Sequence, residues 1–344
     1  MSANDHYLII GNGAAGNQAA KVLRRENREA RITIVSHEDV PFYSKPRLTH
    51  YITGRIGREE LIVNSLDFYR EQSIRLRLGQ TVEAIDPDKK EVRLKHMETV
   101  HYTRLIIASG SRGRVLPAMA PYADCLQFVT GYNDVISLKE RIEKSREFVI
   151  VGGDFVGFQF VKMLRKMGKK VTLLLWPHAF WPHALTDEMA RTIGENLAKT
   201  GAEVIADDNL VHIEKNKERF FLKTAGKVEK EADLVFSFTG LVPDVDFARG
   251  CGIDVDRGIL VNQRMETSDK NIFACGSCAQ VYNPMACTYT TSIGWPNAVS
   301  QGEVAAMNLL GHEKMASPAG RKYFDLEGVK IKTTWWQEMG DEEL

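Results

Sequence analysis

The chain has 344 residues, enough for two or three domains with their own hydrophobic cores. Its 45 Lys and Arg residues balance 45 Asp and Glu residues, so no overall basic charge points to nucleic acid. The sequence has neither an apolar run of roughly 18 residues, as a membrane helix needs, nor a secretory leader at its start. Five cysteines without the spacing of a disulfide scaffold favour a reducing compartment. These features predict a globular cytoplasmic protein without a membrane span.

The first predicted elements form a βαβ unit around a glycine-rich turn. A strand over residues 7–10 leads into the turn, a helix follows over 14–28, and a second strand covers 31–35. In such a unit the helix N-terminus and the bare N–H groups of the turn face a pyrophosphate. An acid just beyond the second strand is placed to bind the adenine ribose. The unit predicts a dinucleotide site made by Gly11, Gly13, Ala14, Ala15, Gly16 and Glu38.

Four further segments follow in an order that narrows the dinucleotide. They are a proline- and arginine-containing stretch at 41–48, an apolar strand with an Ala-Ser-Gly end at 102–112, an apolar strand ending in glycine at 271–277, and a helix start at 294–302. With the glycine turn, these segments resemble the flavin-dependent NADH–rubredoxin, NADH–ferredoxin and nitrite reductases, within the pyridine nucleotide-disulfide oxidoreductases. The resemblance covers most of the chain and implies bound FAD.

The resemblance also implies which residues approach FAD. In the family a basic residue at the position of Lys45 lies near the cofactor, and the 294–302 helix start approaches the flavin ring. Ser277 replaces an Asp that binds the ribityl or pyrophosphate region, so it keeps a hydrogen bond but lacks the charge. Two short strands of a small antiparallel sheet are predicted at 81–82 and 92–95. The implied FAD contacts in these parts of the chain are Lys45, Val82, Ala108, Ser109, Gly110, Arg112, Gly276, Ser277, Trp295 and Ala298.

A second βαβ unit repeats the design in the middle of the chain, with strands at 148–151 and 170–175 around a helix at 155–167. The resemblance implies a NAD(P)H site here. However, Asp154 stands at the second glycine of the turn, where its bulk and charge oppose a pyrophosphate by on the order of a few kcal/mol. Leu175 stands where a ribose-binding acid is expected, and Gln159 replaces the family's usual glutamate. We therefore expect FAD to bind and leave NAD(P)H binding open.

A short tandem repeat, Trp176-Pro-His178 and Trp181-Pro-His183, follows the second unit. One interpretation is a new surface for a partner protein or a planar ligand; the favoured one is an apolar loop with solvated histidines. Two histidines on a loop do not make a metal site, and no metal is predicted.

Cys275 and Cys278 form a C-x-x-C motif, which suggests a redox dithiol. The family members that reduce disulfides carry their reactive cysteine near the region matching 42–55, which contains none in this chain. Structural filling is therefore the favoured interpretation. Cys125, Cys251 and Cys287 do not complete an iron–sulfur spacing with this pair.

The predicted architecture is an α/β fold with two Rossmann-like dinucleotide-binding domains, each a three-layer β/β/α arrangement, and the second is inserted into the first. Residues 1–115 and 240–320 form the split FAD-binding domain, and 116–239 form the NAD(P)-binding-like domain. Residues 321–344 are interpreted as a truncated C-terminal interface segment, in which Trp335 and Trp336 belong either to a partner surface or to a buried strand.

Three functions compete. The leading hypothesis is an FAD-dependent oxidoreductase, or electron-transfer flavoprotein subunit, that passes electrons between FAD and an iron–sulfur protein or partner subunit. The alternatives are an NAD(P)H-dependent ferredoxin or rubredoxin reductase and a non-catalytic scaffold. The intact first turn opposes the scaffold, whereas Asp154 and Leu175 oppose the reductase. No catalytic side chain is predicted because the flavin carries the chemistry. Oligomerisation is left open.

Overall fold

The computed structural model describes residues 5–176, 185–284, 287–292, 294–316 and 323–332. Within these ranges, no helix combines the length and the apolar character needed to cross a membrane. Residues 177–184, which make up most of the tandem repeat, and the Trp335–Trp336 pair lie outside the described residues.

The secondary structure alternates between parallel-sheet units and short antiparallel sheets. The strands, in chain order, are β1 (His6–Ile10), β2 (Arg31–Val35), β3 (Ile74–Arg77), β4 (Val82–Asp86), β5 (Glu91–Leu94), β6 (Thr99–His101), β7 (Arg104–Ile107), β8 (Ser111–Gly113), β9 (Glu147–Gly152), β10 (Lys170–Leu175), β11 (Glu203–Ala206), β12 (Leu210–Asn216), β13 (Arg219–Thr224), β14 (Glu229–Ala232), β15 (Leu234–Phe238), β16 (Leu241–Pro243), β17 (Ile259–Val261), β18 (Ile272–Ala274), β19 (Ala279–Asn283), β20 (Thr288–Thr291), β21 (Tyr323–Leu326) and β22 (Val329–Lys332). The helices are α1 (Ala14–Glu26), α2 (Leu48–Ile52), α3 (Leu66–Glu71), α4 (Tyr132–Lys144), α5 (Phe155–Lys166), α6 (Asp187–Ala198) and α7 (Trp295–Leu309).

The first parallel sheet has the strand order β18-β7-β1-β2-β3. Its central strands are apolar runs rather than alternating patterns, because a parallel sheet is covered on both faces. The sheet shares one core with helices α1 and α7 and with the small sheet β4-β5-β6. Helix α1 ends at Glu26, two residues before the predicted end, where Asn27 leaves the helical conformation.

The second parallel sheet, β11-β10-β9-β15, lies in the chain between β7 and β18 of the first. Helices α5 and α6 and the small sheet β12-β13-β14 complete the repeat. The two units are joined where β8 pairs with β16. The predicted α/β fold, with one dinucleotide-binding fold inserted into another, is confirmed.

The β21–β22 hairpin packs on the second unit. Leu326 and Val329 are buried in its core, and Lys162 of α5 forms an ion pair of 2.9 Å with Glu327. Asn196 of α6 also donates a hydrogen bond to the Glu327 carbonyl oxygen at 2.7 Å. These contacts hold the hairpin against α5 and α6.

Candidate functional site

The first glycine turn is shaped by close backbone approaches that only glycine allows. A Cβ atom on Gly11 would lie 2.2 Å from the Ala108 carbonyl oxygen, and one on Gly16 would lie 2.0 Å from the Gly11 carbonyl oxygen. Gly13, the N-cap of α1, differs because a Cβ atom there would meet nothing within 4 Å. The turn therefore brings Gly11, Gly16 and Ala108 together and leaves open space in front of the α1 N-terminus.

Three predicted FAD contacts from distant parts of the chain meet beside this turn. Gly276 has φ +77°, and a Cβ atom on it would lie 3.0 Å from the Cβ of Ala15 and 4.0 Å from that of Ala298. The Gly276 N–H donates to Gln301 Oε1 at 2.8 Å, and Gln301 Nε2 donates to Ser292 Oγ at 2.7 Å. Gln301 is buried, and its role was not predicted because a glutamine in a predicted helix gives no such signal.

Ala14 and Ser277 flank this meeting point. Ala14, the first residue of α1, is half-buried and packs against the core of the first unit. Ser277 is half-buried in the short 3₁₀ turn Gly276–Cys278.

The Ala-Ser-Gly end of β7 is tied to the chain that returns from the second unit. Ser109 Oγ donates to the Asp244 carbonyl oxygen at 2.7 Å, and the Asp244 N–H donates to the Gly110 carbonyl oxygen at 3.0 Å. Gly110 has φ +79° with open space at its Cβ position. Arg112 is exposed and forms an ion pair of 3.0 Å with Asp246. If Arg112 contacts FAD as predicted, its guanidinium must divide its hydrogen bonds between FAD and Asp246.

Glu38 and Lys45 both bind the segment that begins α4. Glu38 Oε1 accepts hydrogen bonds from the Tyr43 hydroxyl at 2.8 Å and from the Tyr132 N–H at 3.2 Å. Lys45 Nζ donates to the Thr130 carbonyl oxygen at 2.9 Å. A carboxylate has further acceptor capacity, so these bonds leave Glu38 able to accept a ribose hydroxyl.

Two further predicted contacts belong to the first unit. Val82 begins β4, is half-buried and packs against the first core. Trp295 begins α7 and stacks on Phe42, with ring centroids 5.4 Å apart and planes inclined by 29°. The stack joins the 41–48 segment to the start of α7.

A buried network of polar side chains holds Asn12, the residue between Gly11 and Gly13 in the first turn. The Tyr69 hydroxyl donates to Asn12 Oδ1 at 3.0 Å and accepts from Asn17 Nδ2 at 2.8 Å, while Asn64 Nδ2 donates to Asn17 Oδ1 at 3.0 Å. All four side chains are buried. Since Tyr69 lies 52 residues from Asn17, no local sequence pattern indicates this network.

The second turn has the backbone of the first but a different occupant. Asp154 is the N-cap of α5 with φ −84° and ψ −178°, and Gly13 is the N-cap of α1 with φ −78° and ψ −168°. A Cβ atom on Gly152 would lie 2.3 Å from the Phe238 carbonyl oxygen, much as one on Gly11 would lie 2.2 Å from the Ala108 carbonyl oxygen. The space that is open at Gly13 therefore contains a carboxylate in the second unit.

The Asp154 carboxylate is buried against the start of α5. It accepts a hydrogen bond from the Gly157 N–H at 2.9 Å and also faces the N–H groups of Val156 and Gly240. Burial raises the pKa of Asp154 to about 6, although these N–H groups and the positive charge of Arg114 act in the opposite direction. The carboxylate is thus mostly ionised at neutral pH and uses N–H groups that a pyrophosphate would need.

Among the described residues, two other positions of the second site also differ from a nucleotide's usual partners. Leu175 is fully buried, and a Cβ atom on Gly153 would lie 2.9 Å from its Cδ1. Gln159 is exposed on α5. Arg114, which no sequence pattern indicated, is half-buried, and its guanidinium lies 5.8 Å from the Trp176 ring centroid. Nε of Arg114 donates to the Thr239 carbonyl oxygen at 2.6 Å.

Cys275 and Cys278 are both fully buried, and burial raises the pKa of each thiol. Sγ of Cys278 donates to the carbonyl oxygens of Cys275 at 3.2 Å and of Ile107 at 3.4 Å. Burial and a raised pKa disfavour the reactive thiolate. These facts support the structural interpretation of the pair over the redox one.

The donor set of the first unit fits FAD. A dinucleotide pyrophosphate needs open space and free backbone N–H groups at a helix N-terminus. The first unit offers open space at Gly13 and Gly110, and no side chain caps the N-terminus of α1. The paired dinucleotide-binding folds and this site define a flavin-dependent oxidoreductase.

The comparisons agree with that class. Residues 5–302 match the family model described as pyridine nucleotide-disulphide oxidoreductase. The chain therefore belongs to this family, whose members use FAD and NAD(P)H.

Three similar proteins illustrate the relationship. Putidaredoxin reductase of Pseudomonas putida is 29% identical over 322 residues, which cover 90% of this chain and 75% of that protein. The ferredoxin–NAD(+) reductase component of the anthranilate 1,2-dioxygenase system of Burkholderia cepacia is 30% identical over 333 residues, covering 90% and 77%. The structure of a covalent putidaredoxin reductase–putidaredoxin complex superposes with a TM-score of 0.85 at 26% identity, covering 96% of this chain and 81% of that chain.

Proposed function

We propose that the protein is an electron-transfer flavoprotein that exchanges electrons between FAD and an iron–sulfur protein or partner subunit, and that it uses nicotinamide poorly. The observation that carries the proposal is the contrast between the two turns. With matching backbone conformations, Gly13 leaves the α1 N-terminus open, whereas Asp154 fills the α5 N-terminus with its own carboxylate.

FAD binding is assigned to the first unit, within residues 1–115 and 240–320. We propose that the pyrophosphate lies at Gly11, Gly13 and Gly16, beside Ala15, Gly276 and Ala298, and that Glu38 accepts from the adenine ribose. When bound, FAD supplies the redox chemistry, because a flavin accepts electrons in pairs and releases them singly. The described side chains then have to position the cofactor and exclude competing ligands, and no catalytic acid or nucleophile is required of them.

Residues 116–239 are assigned to a nucleotide-like domain that no longer binds NAD(P)H well. The Asp154 carboxylate satisfies the Gly157 N–H and repels an incoming diphosphate. Leu175 offers no hydrogen bond to a ribose hydroxyl. The positive charge of Arg114 acts on Asp154, but its guanidinium already binds the Thr239 carbonyl oxygen.

A second candidate is favoured by a different observation. The Burkholderia relative is named a ferredoxin–NAD(+) reductase component, and it is 30% identical to this chain. In that case the chain would reduce an iron–sulfur protein with NADH, and the Asp154 carboxylate would have to move or become protonated when the nucleotide binds.

The experiment compares two electron donors under anaerobic conditions. The FAD-loaded protein is mixed with a chemically reduced ferredoxin or with NADH, and the loss of the oxidised flavin band is followed in a stopped-flow instrument. We expect reduction by the ferredoxin to be much faster than by NADH. Reduction by NADH as fast as by the ferredoxin would instead establish the second candidate.

A further inference from the structure

The duplication creates a pair of equivalent cavities at the edge of each sheet where the parallel strands begin. The glycine turn lies at the other end of the strands. In the first unit His6 pairs with Arg31, and Thr33 pairs with Arg75. In the second unit Glu147 pairs with Lys170, and Thr172 pairs with Glu203. These registers match His6 with Glu147, Arg31 with Lys170, Thr33 with Thr172 and Arg75 with Glu203.

The second cavity is neutralised by its own side chains. Lys170 forms an ion pair of 2.9 Å with Glu147, and Lys230 forms one of 2.6 Å with Glu203. Arg219 pairs with Glu147 and lies 3.3 Å from Glu231. Thr172 Oγ1 donates to Glu203 at 2.9 Å. Every cation at this position therefore has an acidic partner inside the fold.

The first cavity has the opposite character. It measures about 190 Å³ and its lining includes Arg31, Arg75, Arg77 and a single carboxylate, that of Glu98. The Glu98 carboxylate forms an ion pair of 2.5 Å with the Arg77 guanidinium. Within the described ranges, neither Arg31 nor Arg75 has a carboxylate within the 4.0 Å of an ion pair. At the position where the second unit has Glu203, the first unit thus has Arg75, and the single Glu98 carboxylate acts on both Arg75 and Arg77.

We propose that this cavity binds a phosphate-type oxyanion between Arg31, Arg75 and Arg77. Guanidinium groups bind phosphate oxygens with paired, charge-assisted hydrogen bonds, so a cavity lined by three arginines and one carboxylate suits this ligand. The volume suits a single phosphate group rather than a dinucleotide. The site is separate from the FAD site because it lies where the strands begin, whereas the glycine turn lies where β1 ends.

The pKa of His6 is sensitive to the positive charge that lines this cavity. Its ring is buried, with Nε2 2.9 Å from Thr33 Oγ1. Burial and then the positive charges of Arg31, Arg75 and His101 lower its pKa to about 4, against a backbone contact of His101 that raises it. An anion in the cavity would oppose the arginine charges and raise the pKa of His6.

The test uses the FAD-loaded full chain in a phosphate-free buffer, so that the pyrophosphate site is already filled. Inorganic phosphate is titrated by calorimetry, and the His6 pKa is measured by NMR with and without phosphate. We expect one saturable site and an increase of the His6 pKa by about one unit. Arg75→Glu, which installs the residue of the second unit, should weaken phosphate binding at least about tenfold.

The matched control is Lys170→Gln at the equivalent edge of the second unit, and phosphate binding should stay within about twofold of the wild type. Arg31→Gln, at the exposed start of β2, replaces Arg75→Glu if that variant does not fold. The proposal is overturned if wild-type protein shows no saturable phosphate binding and an unchanged His6 pKa. Binding that is equally strong in the wild type and in the arginine variant also overturns it, because the phosphate would then bind elsewhere.

Discussion

Replacing Asp154 by glycine should restore nicotinamide binding in the second unit. The substitution removes the carboxylate from the α5 N-terminus and recreates the open space found at Gly13. Because the pKa of Asp154 is about 6, the carboxylate is mostly charged near pH 7.5. The change therefore removes a real negative charge rather than a neutral acid.

The expected gain follows from Coulomb's law. One charge pair about 5 Å apart in an effective dielectric constant of about 20 costs about 3 kcal/mol, or roughly a hundredfold in Kd. Freeing the Gly157 N–H adds to this gain, since the N–H becomes available to the diphosphate. The fold should tolerate the change because glycine is an acceptable N-cap residue.

The assay is anaerobic reduction of the FAD-loaded variants by NADH, with the Kd taken from the dependence of the rate on NADH concentration. Asp154→Asn keeps the size and removes the charge, so its Kd should fall between those of the wild type and Asp154→Gly. Asp124→Asn, which removes an exposed carboxylate from the same domain, is the control and should leave the Kd unchanged. A folded Asp154→Gly protein with the wild-type Kd would refute the role assigned to the carboxylate.

Three other predictions concern the two turns and their support. Gly13→Asp places the second unit's residue in the first; its φ of −78° suits aspartate, so the protein should fold by circular dichroism but purify without FAD, and retained FAD would contradict the assignment. Because the pKa of Asp154 in the folded protein lies above its ordinary 3.8, the folded protein binds more protons than the unfolded chain between about pH 4 and 6. Urea unfolding should therefore show stability falling as the pH rises across this window, by up to about 3 kcal/mol relative to Asp154→Asn. Parallel pH curves for the two proteins would exclude the raised pKa. Gln301→Leu leaves the Gly276 N–H and Ser292 without their partner and should lower the free energy of unfolding by about 1–3 kcal/mol, whereas an unchanged urea midpoint would mean that water replaces the side chain.

Local sequence patterns were sufficient for the repeated βαβ units. Strand 31–35, the helix start at Phe155 and strand 170–175 lie where the patterns predict them, because apolar runs and glycine turns act through neighbouring residues. The defect at Asp154 was also visible, since one residue breaks a spaced motif. What it does physically, by capping α5 through Gly157, required coordinates.

Contacts between distant segments were not predictable in this way. The sequence singled out Glu38 and Lys45, but gave no sign that both bind residues 130–132 at the start of α4. Likewise, the charge difference between Arg75 and Glu203 acquires meaning only when strand register makes the two positions equivalent. Such relations depend on the tertiary arrangement, to which local propensity contributes little.

If the first turn holds FAD while the second is closed to nicotinamide, the FAD-loaded wild-type protein should bind NADH only weakly. The decisive measurement is the dissociation constant of NADH for this protein, obtained anaerobically by calorimetry. We expect no saturable binding below the millimolar range. Saturable binding with a micromolar Kd, accompanied by loss of the oxidised flavin band, would contradict it.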